Sequence, residues 1–162
     1  RCEKDDIIFY SDAASYFMKD MTPIISEIDR NNVICFELAG KHKEGVWTRR
    51  NVMERIGFSP NDIKDTDQRM ASFIGVKNNE ESRKIMDLYL KYACQQEMIM
   101  DFPKTEGYDL PEFKEHRHDQ SIWSLITKKN KVTILPDPTQ WGQQHGQSEP
   151  GDHYIMHTRD KS

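Results

Sequence analysis

The sequence has 162 residues, 36% of them hydrophobic and 31% charged, with 23 basic side chains against 27 acidic and a net charge of −4. One domain of this length can bury a real core. The absence of a Lys/Arg block argues against a nucleic-acid binder driven by backbone electrostatics, and no apolar run approaches the ~18 residues of a membrane span.

In chain order, Asp6-Ile7-Ile8-Phe9-Tyr10 is a short run of β-branched and aromatic residues that stops at Ser11-Asp12-Ala13-Ala14-Ser15. It reads as a buried strand, expected to be central in its sheet, followed by a small-residue turn. Met21–Asp29 predicts a helix with Thr22 at the N-cap and Pro23 at the first helical position. Asn32–Leu38 predicts a second strand. Thr48 is the expected cap of a helix reaching Ile56, stopped by Gly57. Met70–Val76 predicts a third strand. Asn78 with Glu81 reads as a capping box. It opens a helix from Asn79 to Met98 on which Ile85, Leu88, Tyr89 and Tyr92 repeat at helical spacing. The two prolines and the glycine of residues 101–111 predict a loop. Asp119 is the expected cap of a helix to Asn130, and Lys131–Leu135 the fourth strand, stopped by Pro136-Asp137-Pro138. Alternating strands and helices predict an α/β domain over residues 1–140, with a mixed sheet flanked by helices. Residues 141–162 read as a polar tail that docks through 153–159, where Ile155 and Met156 form the tail's apolar pair.

Three cysteines (Cys2, Cys35 and Cys94), without a CxxC pair, argue against a disulfide framework or a zinc ribbon. A reducing, cytoplasmic setting is expected, membrane-peripheral at most. The chain opens on Arg1 and carries no signal peptide, so it is expected to begin inside a longer protein.

Three places carry candidate chemistry. Asp12 follows a strand's C-terminal end, where open α/β sheets bind ligands; as a turn residue it would merely cap its own backbone. Glu115-His116-Arg117-His118-Asp119-Gln120-Ser121 precedes an apolar-faced helix whose free amides suit an anion. Its plain alternative is Asp119 as cap with solvated neighbours. His157 and Arg159 fall on one side of an extended tail, or belong to a frayed polar end. No P-loop, GxGxxG, HExxH or GxSxG occurs.

Taken in order, Asp5-Asp6-Ile7-Ile8-Phe9-Tyr10-Ser11-Asp12-Ala13, Phe36, Trp47-Thr48-Arg49-Arg50-Asn51-Val52, Gln68-Arg69-Met70-Ala71-Ser72-Phe73-Ile74-Gly75 and the Glu115–Leu125 segment resemble a group of poorly characterised bacterial and viral glycosyltransferase-like proteins of GT-A type. The Glu-His-Arg-His-Asp-Gln-Ser string is the most specific part. The resemblance spans residues 5–136 and reaches weakly to His157 and Arg159. It implies a GT-A (Rossmann-like) fold, truncated before its nucleotide-binding strands. It also implies transfer of a hexose from a nucleotide-sugar donor to a glycan or other hydroxyl acceptor, as in polysaccharide biosynthesis.

The resemblance gives Asp119 as the catalytic base and Asp12, Arg69, His116, Arg117, His118 and Gln120 as substrate-binding residues. Asp12 and His157 become ligands of Mn²⁺ or Mg²⁺. The sequence departs from the family's Asp-x-Asp motif, because Ala14 stands where the second aspartate is expected. That departure favours an alternative from another class, a non-catalytic glycan-binding or scaffold domain. A third reading is a metal-dependent phosphohydrolase built on His116 and His118.

Overall fold

The computed structural model describes residues 2–38, 40–105, 107–144, 146 and 152–158. The elements in order are β1 (Ile7–Ser11), β2 (Ser15–Phe17), α1 (Thr22–Asn31), β3 (Val33–Glu37), α2 (Glu44–Trp47), α3 (Arg50–Ile56) and α4 (Pro60–Ile63). Then follow β4 (Arg69–Lys77), α5 (Glu80–Ala93), α6 (Gln96–Ile99), α7 (His118–Lys129), β5 (Thr133–Leu135), α8 (Gln140–Gln144) and β6 (Ile155–His157). The main sheet runs β1-β4-β3-β5. In it β4 is antiparallel to β1 and β3, while β3 and β5 are parallel. This is an α/β domain with a mixed sheet flanked by helices.

The Ile7–Tyr10 strand lies at the sheet edge and not at its centre, which corrects the sequence reading. It pairs with β4 alone, from Ile7↔Lys77 to Ser11↔Phe73. Ile7 and Phe9 pack on the α1 side, whereas Ile8 is 39% and Tyr10 52% exposed on the other face. A continuous apolar run suits a strand covered on both faces, but here only one face is well covered. The central strand is β4. Phe73 packs on the α1 side, and Ala71, Ile74 and Val76 face the opposite layer, so both of its surfaces are covered.

On one face Ile24 and Ile28 of α1 pack on Ile34, Phe36 and Phe73. Gly75 permits this approach: a Cβ there would lie 2.6 Å from Cγ1 of both Ile28 and Ile34. On the other face Trp123 of α7 packs with Val33, Cys35, Ala71 and Ile74, and Tyr89 of α5 sits beside its ring. Ile122, Leu125 and Ile126 turn outward into a second apolar cluster with Val52, Met53, Ile56 and Met98. Helix α7 is thus buried from Ser121 to Thr127, because both its faces are covered, and this makes it a rigid support for its first turn.

Several ends differ from the sequence reading. The long helix stops at Ala93, since Gln95 is extended (φ −97, ψ 120), and resumes as the single turn α6. Asn79 rather than Asn78 caps α5, its side chain accepting from Ser82 N at 3.0 Å, and Glu81 instead accepts from Asn32. Thr22 is helical, with Asp20 accepting from its amide and hydroxyl. The cap of α3 is Arg49, and Thr48 spends its hydroxyl on Glu44. Asp119 lies in the first turn of α7, whose N-cap position is Arg117.

In the tail, β6 pairs with β2, a strand the sequence reading did not contain, and Ile155 is fully buried. Arg159 falls outside the described residues. Among the described residues no helix is long and apolar enough to cross a membrane.

Candidate functional site

Asp12 and Asp119, far apart in the sequence, each accept a hydrogen bond from a tyrosine, and the two tyrosines line one pocket. Tyr10 leaves β1 on the exposed side and donates its hydroxyl to Asp12 Oδ1 at 2.9 Å. Tyr89 rises from α5 and donates to Asp119 Oδ2 at 3.3 Å. The hydrogen bond to Asp12, then burial, then the charges of Asp12 and Asp119 raise the Tyr10 phenol above its ordinary value. For Tyr89 burial dominates the upward shift, followed by the charge of Asp119 and its hydrogen bond, with Tyr10 and Asp12 adding to it. Both phenols therefore stay protonated donors at neutral pH. Beside them lies a pocket of about 310 Å³ lined by Ile8, Tyr10, Ala71, Ile74, Val76, Met86, Tyr89 and Asp119. Its floor is apolar because Ile8, Ile74 and Val76 lie on the sheet face that α5 and α7 only partly cover.

The other residues of the His116–Ser121 turn fan away from this pocket. His116 is 2% exposed, and its Nε2 donates to the Met98 carbonyl at 2.8 Å. His118 directs Nδ1 to the Ile99 carbonyl at 2.8 Å and holds a left-handed backbone with φ 45. The two imidazoles thus fasten the turn to α6. Arg117 stacks on Trp47, Gln120 donates to Gln68, and Ser121 donates to the Trp47 carbonyl. Arg69 faces β3 and β5, with Nη1 donating to the Val132 carbonyl at 3.3 Å. Asp119 lines the pocket, Asp12 is held beside it by the Tyr10 hydroxyl, and His116, His118, Gln120 and Arg69 make supporting contacts.

A polar network the sequence reading missed braces the same turn. Glu44 is fully buried. Its Oε1 accepts from Ser124 and from Lys128 Nζ, and its Oε2 from Thr48 at 2.6 Å. Gln68 donates to Thr48 and to Ser121. Burial pulls the Lys128 ammonium below its ordinary value, and the Glu44 carboxylate opposes that shift. A second buried pair, Arg49–Asp109 at 2.9 Å, ties the segment around Asp109 to the start of α3. Arg49 also donates to the carbonyls of Phe102 and Pro103.

The environment of His116 has a consequence in acid. Burial, with a smaller contribution from the His118 charge, lowers its pKa from 6.5 to about 4, while the Met98 bond and Asp101 act the other way. The unfolded chain therefore binds a proton between these values that the folded chain refuses. Stability falls as pH drops through 6.5 and this contribution levels off below about 4, a total of about 3 kcal/mol. Urea midpoints from pH 7 to 4 should show the slope, and His116→Gln, which keeps an N–H for Met98, should flatten it. Equal slopes in both proteins would contradict the assignment.

Asp12 and His157, the expected metal ligands, each make another contact in the structure. Asp12 Oδ1 is engaged by Tyr10, and the His157 ring lies edge-on to Phe73 with centroids 6.2 Å apart. Among the described residues no group of three or more His, Cys, Asp or Glu side chains could hold an ion. One carboxylate and one imidazole leave most of the octahedral shell of Mn²⁺ or Mg²⁺ to water or substrate oxygens, too little to hold the ion tightly without substrate. The phosphohydrolase reading meets the same shortage, since both of its imidazoles are committed to backbone carbonyls. Comparison of the chain with protein-family models, with curated proteins and with solved structures gives no match.

Proposed function

We propose that the chain handles the sugar of a nucleotide-sugar donor during glycosyl transfer to a hydroxyl of a glycan or similar acceptor. The observation that carries this reading is the pair of carboxylate–tyrosine contacts, Asp12 with Tyr10 and Asp119 with Tyr89, of which Tyr10, Tyr89 and Asp119 line one apolar-floored pocket. A sugar ring has an apolar C–H face and a rim of hydroxyls. Ile8, Ile74, Val76 and Met86 suit the first. The second suits carboxylates that each give one oxygen to a tyrosine and keep another to accept a hydroxyl.

In this reading Asp119 takes the proton of the acceptor hydroxyl as its oxygen bonds to the anomeric carbon and the bond to the donor phosphate breaks. Asp12 supplies negative charge opposite the oxocarbenium character of the sugar. Tyr89 and the rigid α7 fix the orientation of Asp119. Because the donor set does not fit a resident divalent ion, no step is routed through one. Calorimetry with Mn²⁺ alone should show no binding tighter than millimolar, and a micromolar site would reverse that conclusion.

The test of the function is donor turnover. Nucleotide release from UDP- and GDP-sugars, with and without acceptor glycans, should fall by about 10²-fold or more in Asp119→Asn, with donor affinity changed only a few-fold. Asp12→Asn should weaken donor binding. Wild-type turnover that both substitutions leave intact would remove these residues from the reaction. Saturable sugar binding without turnover under any condition would favour a glycan-binding domain.

A further inference from the structure

The approach to α7 carries two cations that form no ion pair among the described residues. Arg117 places its Cζ 4.2 Å from the Trp47 ring centroid, and Lys114 Nζ lies 5.8 Å from the same centroid. Among the described residues neither side chain has a hydrogen bond or an ion pair. Arg117 stands apart in this respect from the other described arginines. Arg30, Arg49, Arg50 and Arg55 pair with carboxylates, Arg69 reaches the Val132 carbonyl, and Arg83 the Asn78 side chain.

The guanidinium is also half-buried. Burial draws its pKa downward, and the charge of Glu115, too far away to form an ion pair, is the opposing influence. A cation that has lost part of its water without gaining an ion-pair partner is a receptor for one. The indole takes no hydrogen bond from the guanidinium, and its N–H fork, without a partner among the described residues, matches a carboxylate or phosphate with two parallel hydrogen bonds.

The pieces are held in place before any ligand arrives. Arg117 N donates to the Trp47 carbonyl at 3.1 Å and Lys114 N to the Val46 carbonyl at 2.9 Å. Ser121 Oγ donates to the Trp47 carbonyl as well. The chain on either side of the two cations is therefore fixed to α2, and little ordering remains for the ligand to impose.

We propose that Arg117, Lys114 and Trp47 form a binding site for the acidic group, carboxylate or phosphate, of the ligand. The site recognises its anion independently of the glycosyl-transfer reading. It rests on that reading only for the group's carrier, which would be an acidic sugar or a sugar phosphate held two residues from Asp119.

The test follows the indole N–H signal of Trp47 by ¹H–¹⁵N NMR at constant ionic strength set with chloride. The probes are inorganic phosphate, glucuronate, glucose 1-phosphate and neutral glucose. Phosphate, glucuronate and glucose 1-phosphate should shift the signal saturably, and glucose should not. Phosphate binding alone would point to a free phosphate; tighter binding of glucuronate or glucose 1-phosphate would point to a sugar acid or a sugar phosphate. Arg117→Gln should weaken the anions about tenfold, and Arg117→Lys, which keeps the charge without the fork, should fall between. Lys114→Gln should weaken them less. An unmoved Trp47 signal, or wild-type affinity in a folded Arg117→Gln, would overturn the proposal. The readout is separate from Tyr10 and Tyr89, so loss of glycosyl transfer would not imitate loss of the anion site.

Discussion

Glu44→Ala is expected to destabilise the fold by about 3–5 kcal/mol, as removal of one partner from a buried ion pair does. The Lys128 ammonium, 11% exposed, would retain only the Thr66 hydroxyl at 2.9 Å. Ser124 and Thr48 would lose the acceptors of their hydroxyls. A domain of this length should lose roughly 10 °C of Tm, with a lower urea midpoint at unchanged slope. Glu44→Gln should cost less, because it keeps an acceptor oxygen. Replacing both charges in Glu44→Leu/Lys128→Met should recover part of the loss, since no charge is left buried alone. A Glu44→Ala protein within about 1 kcal/mol of wild type would show that the network is hydrated and weak. The same variant should loosen the α7 N-terminus, because Gln68 and Ser121 connect Glu44 to that turn.

The second large effect is expected at Gly75. A methyl group there meets Cγ1 of Ile28 and of Ile34 at 2.6 Å and Cδ1 of Ile28 at 2.7 Å. Both side chains are fully buried between α1 and the sheet, so neither can swing away, and Gly75→Ala should cost about 3 kcal/mol through overpacking. Combined with Ile28→Ala, which empties that space, the loss should be well below the sum of the single losses. Additive losses would mean that α1 shifts as a body and the contact is not limiting. Because Gly75 lies on the α1 face, ligand binding at the Tyr10–Tyr89 pocket should persist in the surviving folded fraction.

The strand and helix signals were legible where local periodicity dominates. Ile24 and Ile28, Val33–Phe36, Met70–Val76 and the Ile85–Tyr92 stripe each lie on the expected kind of element. The place of Ile7–Tyr10 in the sheet was not legible. Strand order is set by pairing across the whole chain, and an apolar run looks alike at an edge or a centre. Asp12 and Asp119 stood out because each follows or opens an apolar element. Tyr10 and Tyr89, which hydrogen-bond to them, are hidden inside apolar patterns where a tyrosine passes for packing. Glu44 left no signal, since α2 is four residues long and has no periodicity to read. His116 looked like a surface ligand in the string; its burial depends on α6, which forms only because the long helix breaks after Ala93.

The most direct measurement of the central claim is a titration of the ¹⁵N-labelled protein with a nucleotide-sugar, followed at the amides of Tyr10, Asp12, Tyr89 and Asp119. The account predicts saturable shifts that cluster at these residues and at Ile74 and Val76, and that weaken at least tenfold in a folded Asp12→Asn/Asp119→Asn double variant. Shifts confined to the opposite sheet face around α1, or unchanged affinity in the double variant, would contradict it.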